Sequence, residues 1–344
     1  MFSSIITNVI ENDLIIFDRQ CKKMCTEKRV IMSEKMIKID NLVKRYGNFV
    51  ALDHLKLDIT EGEIFGLLGP NGSGKTTTIS CLLSLLKYDK GEIDIFGEKM
   101  TPDSYELKRN IGIVPQEVAV FDELTVRQNV DYFCGLYIND KKRRKKLVDK
   151  AIAFVGLEKY IKMYPRQLSG GLLRRLNIAC GIAHEPKIII MDEPTVAVDP
   201  QSRNSILEGI KRLNKSGATI IYTSHYMEEV EQICSKIAII DKGQCIAYGT
   251  KEELKKMIKT GETITIEGVM LEAANINEIE KIPHVFDVSY NEQTLVVRCT
   301  GAKHNLIHIL EYMNEQDISF GRVFSELPTL NDVFLEITGK KLRD

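Results

Sequence analysis

One stretch constrains the fold of this chain more than any other: residues 63–79, which read EIFGLLGPNGSGKTTTI. Apolar residues predict a strand through Ile64 and Leu68, and they predict a helix from Lys75 through Leu86. The loop between them has the spacing G-x-x-x-x-G-K-[ST], which is typical of a phosphate-binding loop. Glycines let such a backbone wrap an anion without Cβ clashes, and amides at the helix start face the anion.

Two side chains of this loop suit a nucleotide with its metal ion. Lys75 is placed to reach the β- and γ-phosphates, and the Thr76 hydroxyl is placed to bind Mg²⁺. A glycine-rich loop that arose by chance is the alternative, and it leaves the flanking strand and helix unexplained. The stretch therefore predicts a site for a nucleotide with β- and γ-phosphates and for Mg²⁺.

A second segment adds two carboxylates. Residues 188–193 read IIIMDE, an apolar strand that ends in Asp192 and Glu193. Parallel sheets bind their ligands at the carboxyl ends of their strands. Asp192 is predicted to hold Mg²⁺ through water, and Glu193 is predicted to polarise an attacking water. Two solvated turn acids are the alternative, which fits poorly because an apolar strand leads straight into them.

A third segment reads LSGGLLRR at residues 168–175 and places Ser169, Gly170 and Gly171 at the start of a predicted helix. Helix starts attract anions through their free amides and the helix dipole. One nucleotide does not need two glycine-rich cradles. We therefore expect two chains, each offering this segment to the nucleotide of its partner.

Composition bounds the classes of function. A length of 344 residues suggests about two domains, and a net charge of −1 predicts no nucleic-acid partner. The eight cysteines are scattered, mostly in apolar runs, which indicates a reduced chain with buried thiols. Cys21 and Cys25 form a lone C-x-x-x-C that lacks a second pair for a zinc site. No stretch approaches about eighteen uninterrupted apolar residues, so no membrane span is predicted.

Residues 1–35 match no domain pattern, and acidic residues interrupt their apolar pieces, so no secretion signal is predicted. We interpret them as an N-terminal extension that is disordered or not native, with Met32 or Met36 as the natural start. A short helix packed on the surface is the alternative.

Between residues 36 and 260, strands alternate with helices, and several strands are continuous apolar runs. This alternation predicts an α/β domain with a mostly parallel sheet that is covered on both faces. Residues from about 122 to 183 are predicted to be mostly helical. Their basic run at 141–146 is interpreted as a solvated helix face, with a contact to anionic lipid or nucleic acid as the alternative.

The pattern changes near residue 260. Strands are predicted at 263–269, 285–290 and 294–298, and a helix is predicted at 304–316. An apolar stripe from Leu330 to Ile337 predicts a last helix with Thr329 as its N-cap. We interpret residues 261–344 as a small accessory α+β domain, and an extension of the first domain is the alternative.

The three segments together resemble the ATP-binding cassette (ABC) ATPases, and the likeness covers roughly 225 residues. The stretch 69–76 is similar to the Walker A loop, 168–171 to the family signature and 188–192 to Walker B. The resemblance implies a P-loop NTPase fold with a mostly parallel central sheet, an antiparallel β subdomain and a helical subdomain. It also implies ATP hydrolysis coupled to transport.

Further positions follow from the same resemblance. Tyr46 matches the aromatic residue that stacks on adenine, and Gln116 matches the Q-loop glutamine that senses the metal and contacts the transport partner. Asp199 matches the D-loop, and His225 matches the switch histidine at the γ-phosphate. The implied catalytic residues are Glu193, His225 and Gln116, and the implied metal ligands are Thr76, Gln116 and Asp192. The implied nucleotide-binding residues are Tyr46, Gly69, Pro70, Asn71, Gly72, Ser73, Gly74, Lys75, Thr76, Thr77, Ser169, Gly170, Gly171 and Asp199.

Two positions depart from the family pattern. The signature usually ends in Gln where this chain has Leu172, and the D-loop has Ala197-Val198 where Gly-Leu or Ala-Leu is usual. Neither change removes a phosphate ligand. The C-terminal stretch LNDVFLEITG at 330–339 resembles the end of ATP-binding subunits of type-2-class ABC exporters.

This resemblance implies an energy-coupling ATPase at the cytoplasmic face of the membrane. Its implied partners are an integral membrane permease subunit and a second cassette, which is another copy or a different cassette. A soluble ABC protein that acts on ribosomes or DNA is one alternative. It is disfavoured because this chain has one cassette and no heptad run, whereas ribosome-type members usually have two cassettes and DNA-type members have a long coiled coil. A non-hydrolysing ATP switch and a P-loop kinase are the others. Glu193 and His225 disfavour the switch, and the Ser169 helix start disfavours the kinase.

Overall fold

The computed structural model describes residues 35–302 and 304–339. Residues 1–34 of the predicted N-terminal extension, and with them Cys21 and Cys25, lie outside the described residues. In chain order the strands are β1 (Lys35–Tyr46), β2 (Phe49–Thr60), β3 (Ile64–Leu68), β4 (Lys90–Ile95), β5 (Glu98–Lys99), β6 (Ile111–Val114), β7 (Ile188–Asp192), β8 (Thr219–Ser224), β9 (Lys236–Asp241), β10 (Gln244–Gly249), β11 (Glu262–Glu267), β12 (Val285–Asn291), β13 (Thr294–Cys299) and β14 (Val323–Glu326).

The α-helices of the described residues are numbered in the same way. They are α1 (Lys75–Leu82), α2 (Tyr105–Lys108), α3 (Val126–Gly135), α4 (Lys141–Phe154), α5 (Gly170–Ile182), α6 (Pro200–Lys215), α7 (Met227–Ile233), α8 (Lys251–Lys255), α9 (Ala273–Ile279), α10 (Asn305–Glu315) and α11 (Leu330–Thr338). Two short 3-10 helices, Glu158–Tyr160 and Pro165–Gln167, lead from α4 to α5.

The central sheet has six strands in the order β10-β9-β3-β8-β7-β6. Each neighbouring pair from β9 to β6 runs parallel, and β10 joins the edge antiparallel. Every residue of β3, β7 and β8 is buried, as expected for strands that are covered on both faces. The predicted mostly parallel sheet is therefore confirmed.

Two smaller units flank the central sheet. One is an antiparallel sheet of four strands in the order β2-β1-β4-β5. It shares an apolar core with α1 and with the face of β3 that is turned toward it. The other contains α3, α4 and α5, whose apolar side chains join the core on the other side of the central sheet. The basic run at the start of α4 is mostly exposed on that helix.

The predicted end of the first helix was wrong. Helix α1 ends at Leu82 rather than Leu86, because Ser84 has a left-handed backbone with φ +52° and the amide of Leu85 bonds back to the Ser80 carbonyl. Strand β6 ends at Val114, since Pro115 has no amide to continue the ladder. Strands β5, β10 and β14 and helices α2, α8 and α9 were not predicted.

The C-terminal residues form a third sheet with the order β12-β13-β11-β14, in which all pairs are antiparallel. Helices α9 and α10 contribute Ile279, Ile309 and Met313 to a separate apolar core with this sheet. The boundary between residues 260 and 261 stays a prediction.

The last helix does not pack in that separate core. Leu330, Val333 and Phe334 of α11 are buried in the same cluster as Val230 of α7 and Leu254 of α8. The predicted cap is confirmed, since the Thr329 hydroxyl accepts from the amide of Asp332 in a capping box.

Polar contacts fix α11 to the same place. The Glu336 carboxylate accepts from the Lys259 amide at 2.6 Å and from the Thr260 hydroxyl at 3.0 Å. The Leu330 amide donates to Glu231 of α7 at 3.4 Å. The last helix thus packs on the unit that contains the central sheet, and not in the core of the third sheet.

Six cysteines lie in the described residues, and all are free thiols. Burial raises the pKa of the Cys81, Cys134, Cys245 and Cys299 thiols to about 11, and it raises the pKa of Cys180 and Cys234 further. These thiols are therefore packing groups rather than nucleophiles. None of the helices within residues 35–302 and 304–339 is both long enough and apolar enough to cross a membrane.

We expect Phe334→Ala to lower the free energy of unfolding by about 3–5 kcal/mol, because the ring is 3% exposed in the shared core. Phe324→Ala is the matched control, because that ring is 42% exposed and should cost within about 0.5 kcal/mol. Urea unfolding of the full chain measures both. Equal losses in the two variants would contradict the packing of α11 against α7 and α8.

Candidate nucleotide-binding site

Three segments meet at one edge of the central sheet because their strands are parallel neighbours. Strand β3 leads into the glycine-rich loop, β7 ends at Asp192, and β8 ends next to His225. In the register of the sheet, Leu68 pairs with Ser224, and Asp192 pairs with Thr223. The sheet therefore brings the loop, the two carboxylates and the histidine to the same place.

The loop forms a cradle that side chains cannot fill. Gly72 has φ +78° and Gly74 has φ +112°, in the left-handed region that favours glycine. A Cβ atom at Gly69 would lie 2.2 Å from the Ile240 carbonyl oxygen, so that glycine is also required by close packing. The Ser73 hydroxyl is buried and has no hydrogen-bond partner among the described residues. An orphaned donor in a nest of amides fits a bound phosphate.

Lys75 lies folded over its own loop. Its Nζ donates to the carbonyl oxygens of Gly69 at 2.8 Å and Pro70 at 3.1 Å. The same nitrogen is 3.3 Å from Oε1 of Glu193, and both side chains are buried. Burial lowers the pKa of Lys75, while the Glu193 charge opposes that shift. A buried cation that bonds neutral carbonyls is ready to exchange them for phosphate oxygens.

The oxygen ligands expected for Mg²⁺ are adjacent. The Thr76 hydroxyl donates to Asp192 Oδ2 at 3.1 Å, and the Thr223 hydroxyl donates to Asp192 Oδ1 at 2.5 Å. Within the described residues there is no group of three or more His, Cys, Asp or Glu side chains that could hold a metal. A hydroxyl with one carboxylate still fits Mg²⁺, which binds nucleotide phosphates with few protein ligands and retained water.

Glu193 sits next to the loop in a strained backbone conformation. Its φ is +46°, in the left-handed region that costs a residue with a Cβ atom of order 1 kcal/mol or more. Its amide donates to the Thr223 hydroxyl at 3.0 Å. His225 Nδ1 lies 3.3 Å from Glu193 Oε2 but has no hydrogen bond in the described part of the chain. The carboxylate and the imidazole are therefore adjacent but are not hydrogen-bonded to each other.

The signature segment lies at the start of α5. Ser169 caps that helix by accepting from the Leu172 amide at 3.4 Å, and both Ser169 and Gly170 are exposed. A Cβ atom at Gly171 would lie 2.6 Å from the Ser202 hydroxyl and 3.3 Å from Asp199 Oδ2. The signature thus packs against the D-loop of its own chain while its helix start faces outward.

The structure therefore divides the predicted site residues into two groups. It brings together the glycine-rich loop, Asp192, Glu193 and His225. In the described residues, no hydrogen bond or ion pair joins that group to the remaining ones, which are Tyr46, Gln116, Ser169, Gly170, Gly171 and Asp199. Tyr46 is half exposed at the end of β1, and Gln116 is exposed just after β6.

Sequence reasoning missed residues that support the site. Thr223 bonds both Asp192 and the Glu193 amide, and its signal is a hydroxyl at the end of an apolar strand. Arg174 and Asn177 of α5 each donate to the Pro115 carbonyl at 3.1 Å, which fixes the segment before Gln116. Their signal is a pair of polar residues three positions apart on the buried face of a helix.

Comparison with known proteins finds two matching families and several similar proteins. Residues 52–196 match the family described as ABC transporter, and residues 249–338 match the C-terminal domain of the ATP-binding protein DrrA1-3 type. The chain is 40% identical over 316 residues to the linearmycin resistance ATP-binding protein LnrL of Bacillus subtilis (strain 168), covering 90% of this chain and 100% of that protein. It is 32% identical over 314 residues to a Nod factor export ATP-binding protein I of Sinorhizobium fredii, covering 91% of this chain and 88% of that protein.

A solved structure of an ATP-binding cassette has a similar fold. The dimeric post-hydrolysis state of the ATP-binding cassette MJ0796, bound to ADP and Pi, is similar with a TM-score of 0.58 and 29% sequence identity. The likeness covers 62% of this chain and 98% of that one. The predicted P-loop cassette fold is thereby confirmed.

We expect Leu172→Gln to change kcat for ATP hydrolysis by less than about threefold, under about 0.7 kcal/mol of barrier. Leu172 presents its amide to Ser169 and packs its side chain against the core, so its side chain faces no phosphate. Ser169→Arg should cost far more, since a bulky cation would occupy the exposed helix start. Steady-state hydrolysis by the full chain measures both. A tenfold rise in Leu172→Gln would instead identify this signature as a weakened one.

Proposed function

The chain belongs to the ABC transporter family as an ATP-hydrolysing, nucleotide-binding subunit that powers a separate membrane subunit, and we propose that two such cassettes close around two Mg-ATP. In this arrangement the glycine-rich loop of one chain and the signature of its partner hold the same nucleotide. The partner is a second copy of this chain, with a different cassette as the alternative.

The observation that carries the proposed site of ATP hydrolysis is the position of Lys75. Its ammonium lies between the loop carbonyls and the Glu193 carboxylate, 3.3 Å from the latter. A γ-phosphate held by this cation would therefore lie next to the group that activates water. The exposed Ser169 helix start supports the trans arrangement, since it makes no hydrogen bond to the glycine-rich loop of its own chain in the described residues.

The roles of the site residues follow from their positions. Lys75 and the amides of residues 69–76 bind the β- and γ-phosphates, and Ser73 donates its free hydroxyl to the same anion. Glu193 accepts a proton from the attacking water, and His225 holds a γ-phosphate oxygen through its imidazole. Bound Mg²⁺ would be held by Thr76 and Asp192, with Gln116 joining on closure, and it would neutralise phosphate charge.

Residues on the periphery complete the nucleotide site. Tyr46 stacks on the adenine from the end of β1, which its half-exposed ring permits. Asp199 faces the partner chain from the cap of α6, where it accepts from the Ser202 amide at 2.9 Å. Ser169, Gly170 and Gly171 close over the γ-phosphate of the partner.

The membrane partner and the cargo class are inferred from relatives. LnrL is named for linearmycin resistance and the Sinorhizobium fredii protein for Nod factor export. We infer that this chain sits at the cytoplasmic face of the membrane and drives a permease subunit of the type-2 class. We infer that the pair exports its cargo, since the Sinorhizobium fredii relative is named for export.

We expect Glu193→Gln to form an ATP-dependent dimer. Without the base, hydrolysis no longer separates the two surfaces that ATP bridges. Size-exclusion chromatography with light scattering should show a monomer without nucleotide and a dimer with Mg-ATP. The control is the double variant Lys75→Ala with Glu193→Gln, which should remain monomeric because the phosphates lose their main cation. Full turnover in Glu193→Gln would assign the base to another group.

We expect the tagged full chain to retain an integral membrane protein when it is purified from native membranes in mild detergent. An equal load of an unrelated tagged soluble protein is the control. Identification of the retained subunit by mass spectrometry would define the transporter. Recovery with ribosomes, and without a membrane subunit, would contradict the transport function.

A further inference from the structure

A buried carboxylate lies behind the proposed active site and takes no part in the roles assigned above. Glu229 of α7 is 3% exposed. Its Oε2 accepts from the Thr195 hydroxyl at 2.8 Å, the Tyr222 hydroxyl at 2.6 Å and the Ser224 hydroxyl at 3.2 Å. Burial and the Glu229 charge raise the pKa of Tyr222 well above its usual value, so the phenol remains a donor. Three donors on one oxygen fix the position of this carboxylate.

The other oxygen of Glu229 faces a cation. Glu229 Oε1 is 3.3 Å from Nε of Arg203, which lies in the first turn of α6. Neither atom has an aligned hydrogen bond in the described part of the chain. The contact therefore holds the guanidinium by charge and leaves its planar face free.

That face lies over an aromatic ring. The Arg203 guanidinium carbon is 5.0 Å from the centroid of the Tyr226 ring. The Tyr226 ring is in turn 4.1 Å from the His225 ring, with an interplanar angle of 41°. His225 then reaches Glu193 Oε2 at 3.3 Å. An ion pair, a cation–π contact and a tilted ring contact thus connect Glu229 to the imidazole through two intervening side chains.

The ring contact matters because, in the described part of the chain, no hydrogen bond fixes the imidazole at Nδ1. That nitrogen is buried, lies 3.3 Å from Glu193 Oε2 and has no hydrogen bond among the described residues. We propose that Arg203 and Tyr226 are positioning residues that hold the imidazole of His225 against Glu193. This inference rests on the proposed role of His225 at the γ-phosphate. Neither side chain contacts the glycine-rich loop in the described structure, so their effect should fall on kcat rather than on KM.

The experiment compares three variants of the full chain with a matched control. Arg203→Lys keeps the charge beside Glu229 but loses the planar face, and Tyr226→Leu removes the ring. Tyr226→Phe keeps the ring and is the rescue variant. Arg212→Lys is the control, since Arg212 lies on the same helix and stacks on Phe154 at 4.8 Å.

We expect Arg203→Lys and Tyr226→Leu to lower kcat by about tenfold, with KM for ATP within about twofold of the parent. Tyr226→Phe and Arg212→Lys should stay within about twofold of the parent in both constants. Radiolabelled ATP should be used so that slow turnover is measured. Unchanged kcat in both Arg203→Lys and Tyr226→Leu would overturn the proposal.

A second series separates positioning of His225 from general loss of packing. In a His225→Ala background, Arg203→Lys and Tyr226→Leu should lower the remaining rate by less than about twofold, because both act through the missing ring. A further tenfold loss in that background would show that they act by another route. Thermal unfolding of Arg203→Lys should match that of Arg212→Lys, since the ion pair with Glu229 is kept.

A spectroscopic measurement keeps this inference distinct from the proposed function. The ¹³Cε1 resonance of His225 is assigned by its loss in His225→Ala, and it should shift in Tyr226→Leu and Arg203→Lys but not in Arg212→Lys. If His225→Ala hydrolyses ATP at the parent rate, the proposed role of His225 fails. The resonance in the other variants still reports whether Arg203 and Tyr226 hold the His225 imidazole. An unmoved resonance in Arg203→Lys and Tyr226→Leu would overturn the positioning role itself.

Discussion

Parallel pairing of β3, β8 and β7 is the constraint on which the rest of this structure depends. Every residue of these three strands is buried, so their register is fixed by apolar packing on both faces. A slip of one residue would turn Asp192 away from Thr76 and Thr223, which it contacts through hydroxyl hydrogen bonds. The geometry of the phosphate site is therefore a consequence of how an apolar sheet packs.

Two buried carboxylates near this edge are stabilised in different ways, and the difference separates their proposed roles. Glu193 faces Lys75 and His225 at 3.3 Å each, and neither contact saturates its oxygens. Glu229 has one oxygen saturated by three hydroxyl donors and the other beside a cation. A buried charge is costly unless it is paired, so both must have partners. The oxygens of Glu193 therefore keep free hydrogen-bonding capacity, which suits its proposed role as the base.

Helix α7 connects the active-site edge to the C-terminal residues. It begins two residues after His225, carries Glu229, and presents Glu231 to Lys255 and to the amide of Leu330. The last helix buries its apolar face against α7 and α8, so α11 is packed on the unit that contains the central sheet, while the third sheet keeps its own core. A substitution near His225 and a substitution in α11 would therefore both act on α7.

The sequence by itself determined the local parts: a phosphate loop between a strand and a helix, two acids after an apolar strand, and the cap of the last helix by Thr329. These features are short-range, because periodicity and loop spacing act over a few neighbouring residues. Tertiary structure alone decided the distance from Lys75 to Glu193, the packing of α11 against α7 and α8, and the contact of the Arg203 guanidinium with the Tyr226 ring. Each of these contacts joins residues that are distant in the chain or that no periodic pattern links, so they are fixed by the packing of whole elements.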